Sequence, residues 1–137
     1  MIIYIPIKEI SQRVPEKNFR EFCGKPLWEH TIDKLKDFEV VVDTDSTDII
    51  NKCKEKTWVH TYARPHHLRG HNVSVVDLIK NYSDKAELNH NDWICQVHTT
   101  SPFLKVEHLE LLRDEIKDCN YDSIFSHDPF IHCIHCG

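Results

Sequence analysis

Lys8, Ser11, Gln12, Arg13, Lys17 and Asn18 gather three cations, one hydroxyl and two amides within eleven residues. A loop that grips a polyphosphate through side chains, with charge-assisted N–H···O bonds, needs cations at about this density. The alternative is a solvated charged loop with no ligand. Backbone-cradled phosphate sites use glycines instead, and the three glycines of this chain, Gly24, Gly70 and Gly137, all lie elsewhere. The P-loop and the dinucleotide fingerprint are therefore both absent. From Lys8 to Lys25 five cations face three acids, so a +2 segment sits in a chain of −5 and leaves −7 for the rest. A local positive segment in an acidic protein fits a small anion better than a polymer, which argues against nucleic acid as a partner.

Other residues invite chemistry and have plainer readings beside them. Asp43-Thr44-Asp45 resembles a D-x-D metal motif, but Asp45 or Ser46 also reads as the cap of a following helix. His66, His67 and His71 share one loop, where they either touch phosphate or stay solvated. Ser101, in Thr100-Ser101-Pro102, has no general base beside it in sequence, and a helix-initiating turn accounts for these residues. His132-Cys133-Ile134-His135-Cys136 is dense in soft ligands, but a structural zinc site needs four ligands and usually a second close pair, which is missing. A small metal-binding module built on these residues is a third reading. The acids of Val106 to Lys117 follow the pattern of a solvated helix face, and Trp28, Trp58 and Trp93 occupy apolar positions suited to core packing.

The elements that must hold these loops follow from hydrophobic spacing. Ile2–Ile7 is β-branched and aromatic and predicts a buried strand, followed by a loop from Lys8 to Asn18. Pro26 opens a predicted helix to Asp37, Glu39–Val42 a second strand, and a helix with Ile49, Ile50 and Cys53 comes next. Strands are predicted at Trp58–Tyr62, Trp93–Val97 and Ser123–Phe125, with helices around Val75–Tyr82 and Val106–Ile116. Strict strand–helix alternation predicts an α/β fold with a mostly parallel sheet covered on both faces. Ligands bind such sheets beyond the carboxyl ends of the strands, so Lys8–Asn18, Asp43–Ser46, Arg64–Asn72 and His98–Pro102 are expected on one rim.

The chain of 137 residues is the right size for a single domain, and 40% hydrophobic with 28% charged residues is a globular composition. The longest uncharged apolar stretch, Met1–Ile7, is far short of the ~20 residues that span a bilayer. It has no preceding cation and a lysine directly after, unlike a signal peptide. The expectation is a cytoplasmic protein without membrane partners, whose six cysteines are reduced thiols; Cys23, Cys53, Cys95 and Cys119 read as core packing.

The run from Ile5 to Asn18, followed by Gly24-Lys25-Pro26-Leu27, resembles the opening of the acylneuraminate cytidylyltransferase family, I-P-A-R-x-G-S-K-x-x-x-x-K-N and then G-K-P-L. The likeness persists through Val41–Ser46, Arg64-Pro65 with Leu68, Thr100-Ser101-Pro102 and Asp122–Ser126. It covers essentially the whole chain but only the amino-terminal part of the family's domain.

The resemblance implies a Rossmann-like nucleotide-diphospho-sugar transferase fold and transfer of CMP from CTP to a sugar acid, such as an N-acylneuraminate or a related nonulosonic or octulosonic acid, with release of pyrophosphate. Lys8 falls where the family has its phosphate-gripping arginine, and Lys8 and Lys17 are the implied catalytic cations. Ser11, Arg13, Asn18, Arg64 and Ser74 join them as implied nucleotide contacts, with His98 and Ser101 as contacts of the sugar acid. Magnesium is implied as well, on aspartates from the later half of the family's domain. Relatives pair through a segment beyond the equivalent of Gly137, so homo-oligomerisation is left open, and Phe130–Ile134 is expected to expose apolar surface. The chain departs from the pattern at Ile10 for glycine, Gln12 for lysine, His98 for glutamine and Thr99 for proline. These departures motivate a second reading, a truncated or degenerate relative that binds nucleotide or a partner without turnover.

Overall fold

The computed structural model describes residues 1–9, 18–101, 103–118 and 120–126. Four parallel strands, β1 (Ile2–Ile7), β4 (Glu39–Thr44), β5 (Val59–Ala63) and β6 (Ile94–Gln96), form a sheet of order β5-β4-β1-β6. Between β1 and β4 lie a small antiparallel hairpin, β2 (Glu21–Phe22) and β3 (Lys25–Pro26), and helix α1 (Leu27–Asp33). Helix α2 (Thr47–Cys53) joins β4 to β5, α3 (Val75–Lys85) joins β5 to β6, and α4 (Val106–Glu115) follows β6.

Alternation along the central strands sorts side chains to two cores. Ile3, Ile5, Ile7, Val40 and Val42 pack against Trp28 and Ile32 of α1, Ile49 and Cys53 of α2 and Leu109 of α4. Ile2, Tyr4 and Val41 turn to the other face, where Leu78, Ile79 and Tyr82 of α3 cover them. Burial on both faces is what a parallel sheet requires, and it explains why β1 and β4 read as continuous apolar runs. Each of the eight central side chains just named from β1 and β4 is 9% exposed or less.

Several boundaries differ from the sequence expectation. Helix α1 ends at Asp33 rather than Asp37; the backbone turns there so that Leu35 and Phe38 are buried. Pro26 is the N-cap of α1 and the last residue of β3, not a first helical position. The hairpin has no periodicity to betray it, and its turn is made by Cys23 and Gly24, both at positive φ (48° and 83°). Cys23 is accordingly exposed and not a core residue, whereas Cys53 is buried and its thiol is pushed up to about 11 by burial. Ser46 is the N-cap residue of α2 but makes no side-chain cap bond; its own N–H donates instead to Thr44 Oγ1 at 3.1 Å.

The expected fifth strand at Ser123–Phe125 does not form. These residues carry strand-like side chains but find no neighbouring strand to bond among the described residues, and Ile124 and Phe125 stay exposed beside the edge of β6. Among the described residues no helix is long and apolar enough to cross a membrane.

Candidate active site

The strand order places β4 on one side of β1 and β6 on the other, so the connection reverses direction at β1 and opens a crevice between the carboxyl ends of β1 and β6. Pro6 fixes where it opens. The Ile2 amide donates to Trp93 O (2.8 Å) and Tyr4 O accepts from the Val97 amide (3.0 Å), so alternate residues of β1 face β6. Pro6 is the next residue on that side and has no N–H to give. The β6 pairing stops at Tyr4↔Gln96, while β4 stays paired through Ile7↔Thr44.

Beyond that point the ladder is replaced by side chains. Asn18 Nδ2 donates to Lys8 O at 3.1 Å, and Thr99 Oγ1 donates to Asn18 Oδ1 at 2.9 Å. Because a backbone carbonyl only accepts, Lys8 O determines which end of the Asn18 amide carries nitrogen, and the other end must be the acceptor for Thr99. Lys8 itself is half-buried, with Nζ donating to Gly70 O at 2.9 Å, and Glu9 N donates to Asp45 Oδ1 at 2.9 Å. The start of the first rim loop is thus tied to three neighbouring rim segments.

Arg64 sits beneath this rim. Its side chain is fully buried, with Nε donating to Asp43 Oδ1 at 2.6 Å and Nη2 to Asp43 O at 3.0 Å, and Tyr4 OH donating to the second carboxylate oxygen. Burial, then the bond to Asp43, raises the Tyr4 phenol far above its ordinary range. Arg69 Nε donates to Arg64 O at 3.0 Å, and the Arg64 amide to Thr44 O at 2.9 Å, anchoring the loop that carries Gly70. With its guanidinium enclosed, Arg64 presents no surface to a ligand in this structure.

The other sequence candidates are spread along the rim. Ser74 opens α3 in a reciprocal capping box with Asp77, its hydroxyl accepting from the Asp77 amide at 3.1 Å and donating to Asp77 Oδ2 at 2.7 Å. His98 is exposed at the end of β6, its Nε2 3.1 Å from Gln96 Nε2, and Ser101 is exposed one turn later. His66, His67 and His71 are exposed on the loop after β5. Ser11, Arg13 and Lys17 lie outside the described residues, as do Cys133, Cys136 and Phe130–Ile134. Lys8, Asn18 and Thr99 are therefore brought together at the crevice, whereas His98 contacts Gln96, Arg64 is enclosed with Asp43 and Ser74 caps α3.

The magnesium implied by the resemblance finds no set of ligands here. Among the described residues no three His, Cys, Asp or Glu side chains cluster. Within the D-x-D segment Asp43 is buried against Arg64 and Tyr4, which leaves Asp45, already accepting from Glu9 N, as its rim carboxylate. These residues do not fit a protein-held magnesium ion, which takes an octahedral oxygen set.

A family model described as cytidylyltransferase matches residues 2–131. The chain belongs to the cytidylyltransferase family. Among curated relatives, the pseudaminic acid cytidylyltransferase of Campylobacter jejuni subsp. jejuni serotype O:2 is 26% identical over 112 residues, covering 77% of this chain and 48% of the relative. Among solved structures, a CMP:2-keto-3-deoxy-manno-octonic acid synthetase complexed with CTP superposes with a TM-score of 0.67 at 22% identity, covering 85% of this chain and 47% of that one. A 4-diphosphocytidyl-2C-methyl-D-erythritol synthase gives 0.63 at 17% identity, with coverages of 86% and 54%. A cytidylyltransferase from Leptospira borgpetersenii serovar Hardjo-bovis gives 0.60 at 25%, with coverages of 82% and 47%. The fold is thus that of nucleotidyltransferases, and the chain spans about half the length of these cytidylyltransferase relatives.

Sequence reasoning missed four partners. Tyr4 reads as a strand residue, Asp43 as the first acid of a D-x-D segment, and Thr99 as a departure from a motif. The Gly70 carbonyl has no signature at all. The spacing of Asp43 and Arg64 at the ends of adjacent strands, where Asp43↔Tyr62 and Thr44↔Ala63 are in register, is the signal from which their pairing was recoverable.

Proposed function

We propose that this chain forms the CTP-binding half of an enzyme that transfers CMP to a sugar acid. The observation that carries the reading is the convergence of Lys8 and Asn18 at the switch-point crevice of a chain matched by the cytidylyltransferase model. In the proposed reaction the anomeric hydroxyl of the sugar acid attacks the α-phosphorus of CTP. A new O–P bond forms, the bond to the β-phosphate oxygen breaks, the hydroxyl proton is lost, and pyrophosphate leaves. Catalysis of this kind is mostly positioning and charge stabilisation, for which a lysine beside a preformed crevice suffices as a starting grip.

Lys8 would leave the Gly70 carbonyl for the triphosphate, joined by Ser11, Arg13 and Lys17. Asn18 would hold the crevice at the nucleoside end, and exposed His98 and Ser101 would meet the sugar acid. Arg64 and Ser74 act from within, by fixing the loops that carry the contacts. We include magnesium in the proposal as a companion of the nucleotide, with ligands other than the described residues. Nonulosonic acids are the favoured sugar class, since the curated relative named above is a pseudaminic acid cytidylyltransferase.

Isothermal titration with CTP and magnesium tests the nucleotide step. Binding is expected, and Lys8→Ala is expected to weaken it about 10- to 100-fold, the worth of one charge-assisted bond. No heat with a folded chain would refute the reading. Pyrophosphate release with nonulosonic and octulosonic acids then reports turnover and the sugar preference.

A further inference from the structure

We propose that Thr99 is a positioning residue of the crevice, whose hydroxyl sets the orientation of the Asn18 amide and thereby couples the lip that follows β1 to the lip that follows β6. The proposal rests on the nucleotide reading for its consequence and on geometry alone for its existence.

Thr99 is 5% exposed, so its hydroxyl is not a surface group awaiting a ligand. It donates to Asn18 Oδ1 at 2.9 Å, across 81 residues of sequence. Asn18 Nδ2 in turn donates to Lys8 O at 3.1 Å, at the first position of the first rim loop. The Asn18 carbonyl also lies 3.5 Å from the Trp28 amide that opens α1, and the Thr99 carbonyl lies 3.5 Å from Thr31 Oγ1 on the same helix. Asn18 and Thr99 therefore form one bridge over the gap left where the β1–β6 ladder ends, with α1 as its floor.

The direction of each bond is forced. Lys8 O accepts only, so the nitrogen of the carboxamide faces it; the oxygen then faces Thr99, whose hydroxyl must donate. Removal of the Thr99 hydroxyl takes away the group that holds the oxygen end, and the amide is free to rotate away from Lys8. The residue next to Thr99 is His98, and the residue whose carbonyl is held is Lys8, so one hydroxyl keeps a candidate sugar contact and a candidate phosphate contact in fixed relation.

The experiment uses the 137-residue chain with Thr99→Val, Thr99→Ser and Asn18→Ala, and Thr99→Val combined with Asn18→Ala. Thr99→Ala serves if the valine variant does not fold. Two readouts are taken: solvent exchange of the Asn18 side-chain amide by NMR, and CTP affinity by titration. Thr99→Val is expected to speed the amide exchange and to weaken CTP about tenfold, one hydrogen bond's worth. Thr99→Ser should restore both, and the valine change should add less than about twofold on the Asn18→Ala background, because the two residues act through one bond. Unchanged exchange in Thr99→Val overturns the proposal. So does a serine variant as impaired as valine, which would mark a packing effect, or additive losses in the double variant. A folded wild type that binds no CTP refutes the proposed function, and the exchange readout then decides the bridge by itself.

Discussion

The buried contact between Asp43 and Arg64 gives the sharpest prediction of the structure. Arg64→Met removes the guanidinium but keeps much of its length, and leaves the fully buried Asp43 with Tyr4 OH and no cation. Breaking a buried pair from one side costs about 3–5 kcal/mol, because the remaining charge is left without compensation. Whole domains are stable by about 5–15 kcal/mol, so a fifth or more of the stability is at stake. With a urea slope of about 1–3 kcal/mol per molar, the midpoint should fall by about 2 M. Replacement of the whole unit is expected to be far milder. Tyr4→Phe, Asp43→Leu and Arg64→Met together leave no charge or hydroxyl to satisfy, and should return the stability to within about 1–2 kcal/mol of the parent. The single losses for Asp43→Leu and Arg64→Met should exceed the loss in their double variant by about 3 kcal/mol. Urea titrations followed by tryptophan fluorescence measure all of these. Additive losses, or an Arg64→Met variant within about 1 kcal/mol of the parent, would refute the reasoning. If Arg64 instead served the ligand directly, its variant would lose CTP affinity at an unchanged midpoint.

Three further outcomes are expected. Tyr4 has its ionisation raised by burial and by Asp43, so the stability it contributes is complete below the unfolded phenol value of about 10 and falls as pH rises beyond it; a 295 nm titration should show this phenolate appearing only as the chain unfolds, and an early, reversible ionisation of Tyr4 would contradict it. Asp33, although its burial works the other way, is lowered by the bonds from Lys25 and Lys56, so its contribution is present above the unfolded value of about 3.9 and is lost as pH falls below it; Asp33→Asn should flatten the acid limb of the urea-midpoint profile, and parallel profiles would count against the pairing. Ser74→Ala should cost about 1 kcal/mol through the lost capping box and fray the start of α3, visible as faster amide exchange at Asp77 and Leu78.

Much of the sheet was legible because its signal is local. The β-branched runs Ile2–Ile7 and Glu39–Thr44 are buried on both faces, and that condition is written into every residue of the strand. What escaped depended on distant partners or on the absence of one. Ser123–Phe125 has the composition of a strand, but a strand exists only through a neighbour's backbone, and none is offered among the described residues. The hairpin at Glu21–Pro26 turns on the positive φ of Cys23 and Gly24, two residues too few for any period. At the site, cations and amides were found by type, yet their state was not. Arg64 reads as a ligand contact from its motif and is enclosed with Asp43 because β4 and β5 are in register at that depth. Asn18 reads as a nucleotide contact, and in the structure its side chain joins Lys8 O to a threonine that lies 81 residues away.

Pro6 also bears on how tightly this protein can hold anything. In many binding sites the open form is one state of an equilibrium, and the measured affinity is the intrinsic affinity reduced by the fraction of molecules in that state. Here the donor that would let β6 zip one step further along β1 is replaced by a ring carbon, so at this step no hydrogen-bonded closed register competes with the open one. Affinity measured at this crevice would then carry no share lost to strand closure at this step, and a Pro6→Ala change would introduce that share without touching a single contact residue.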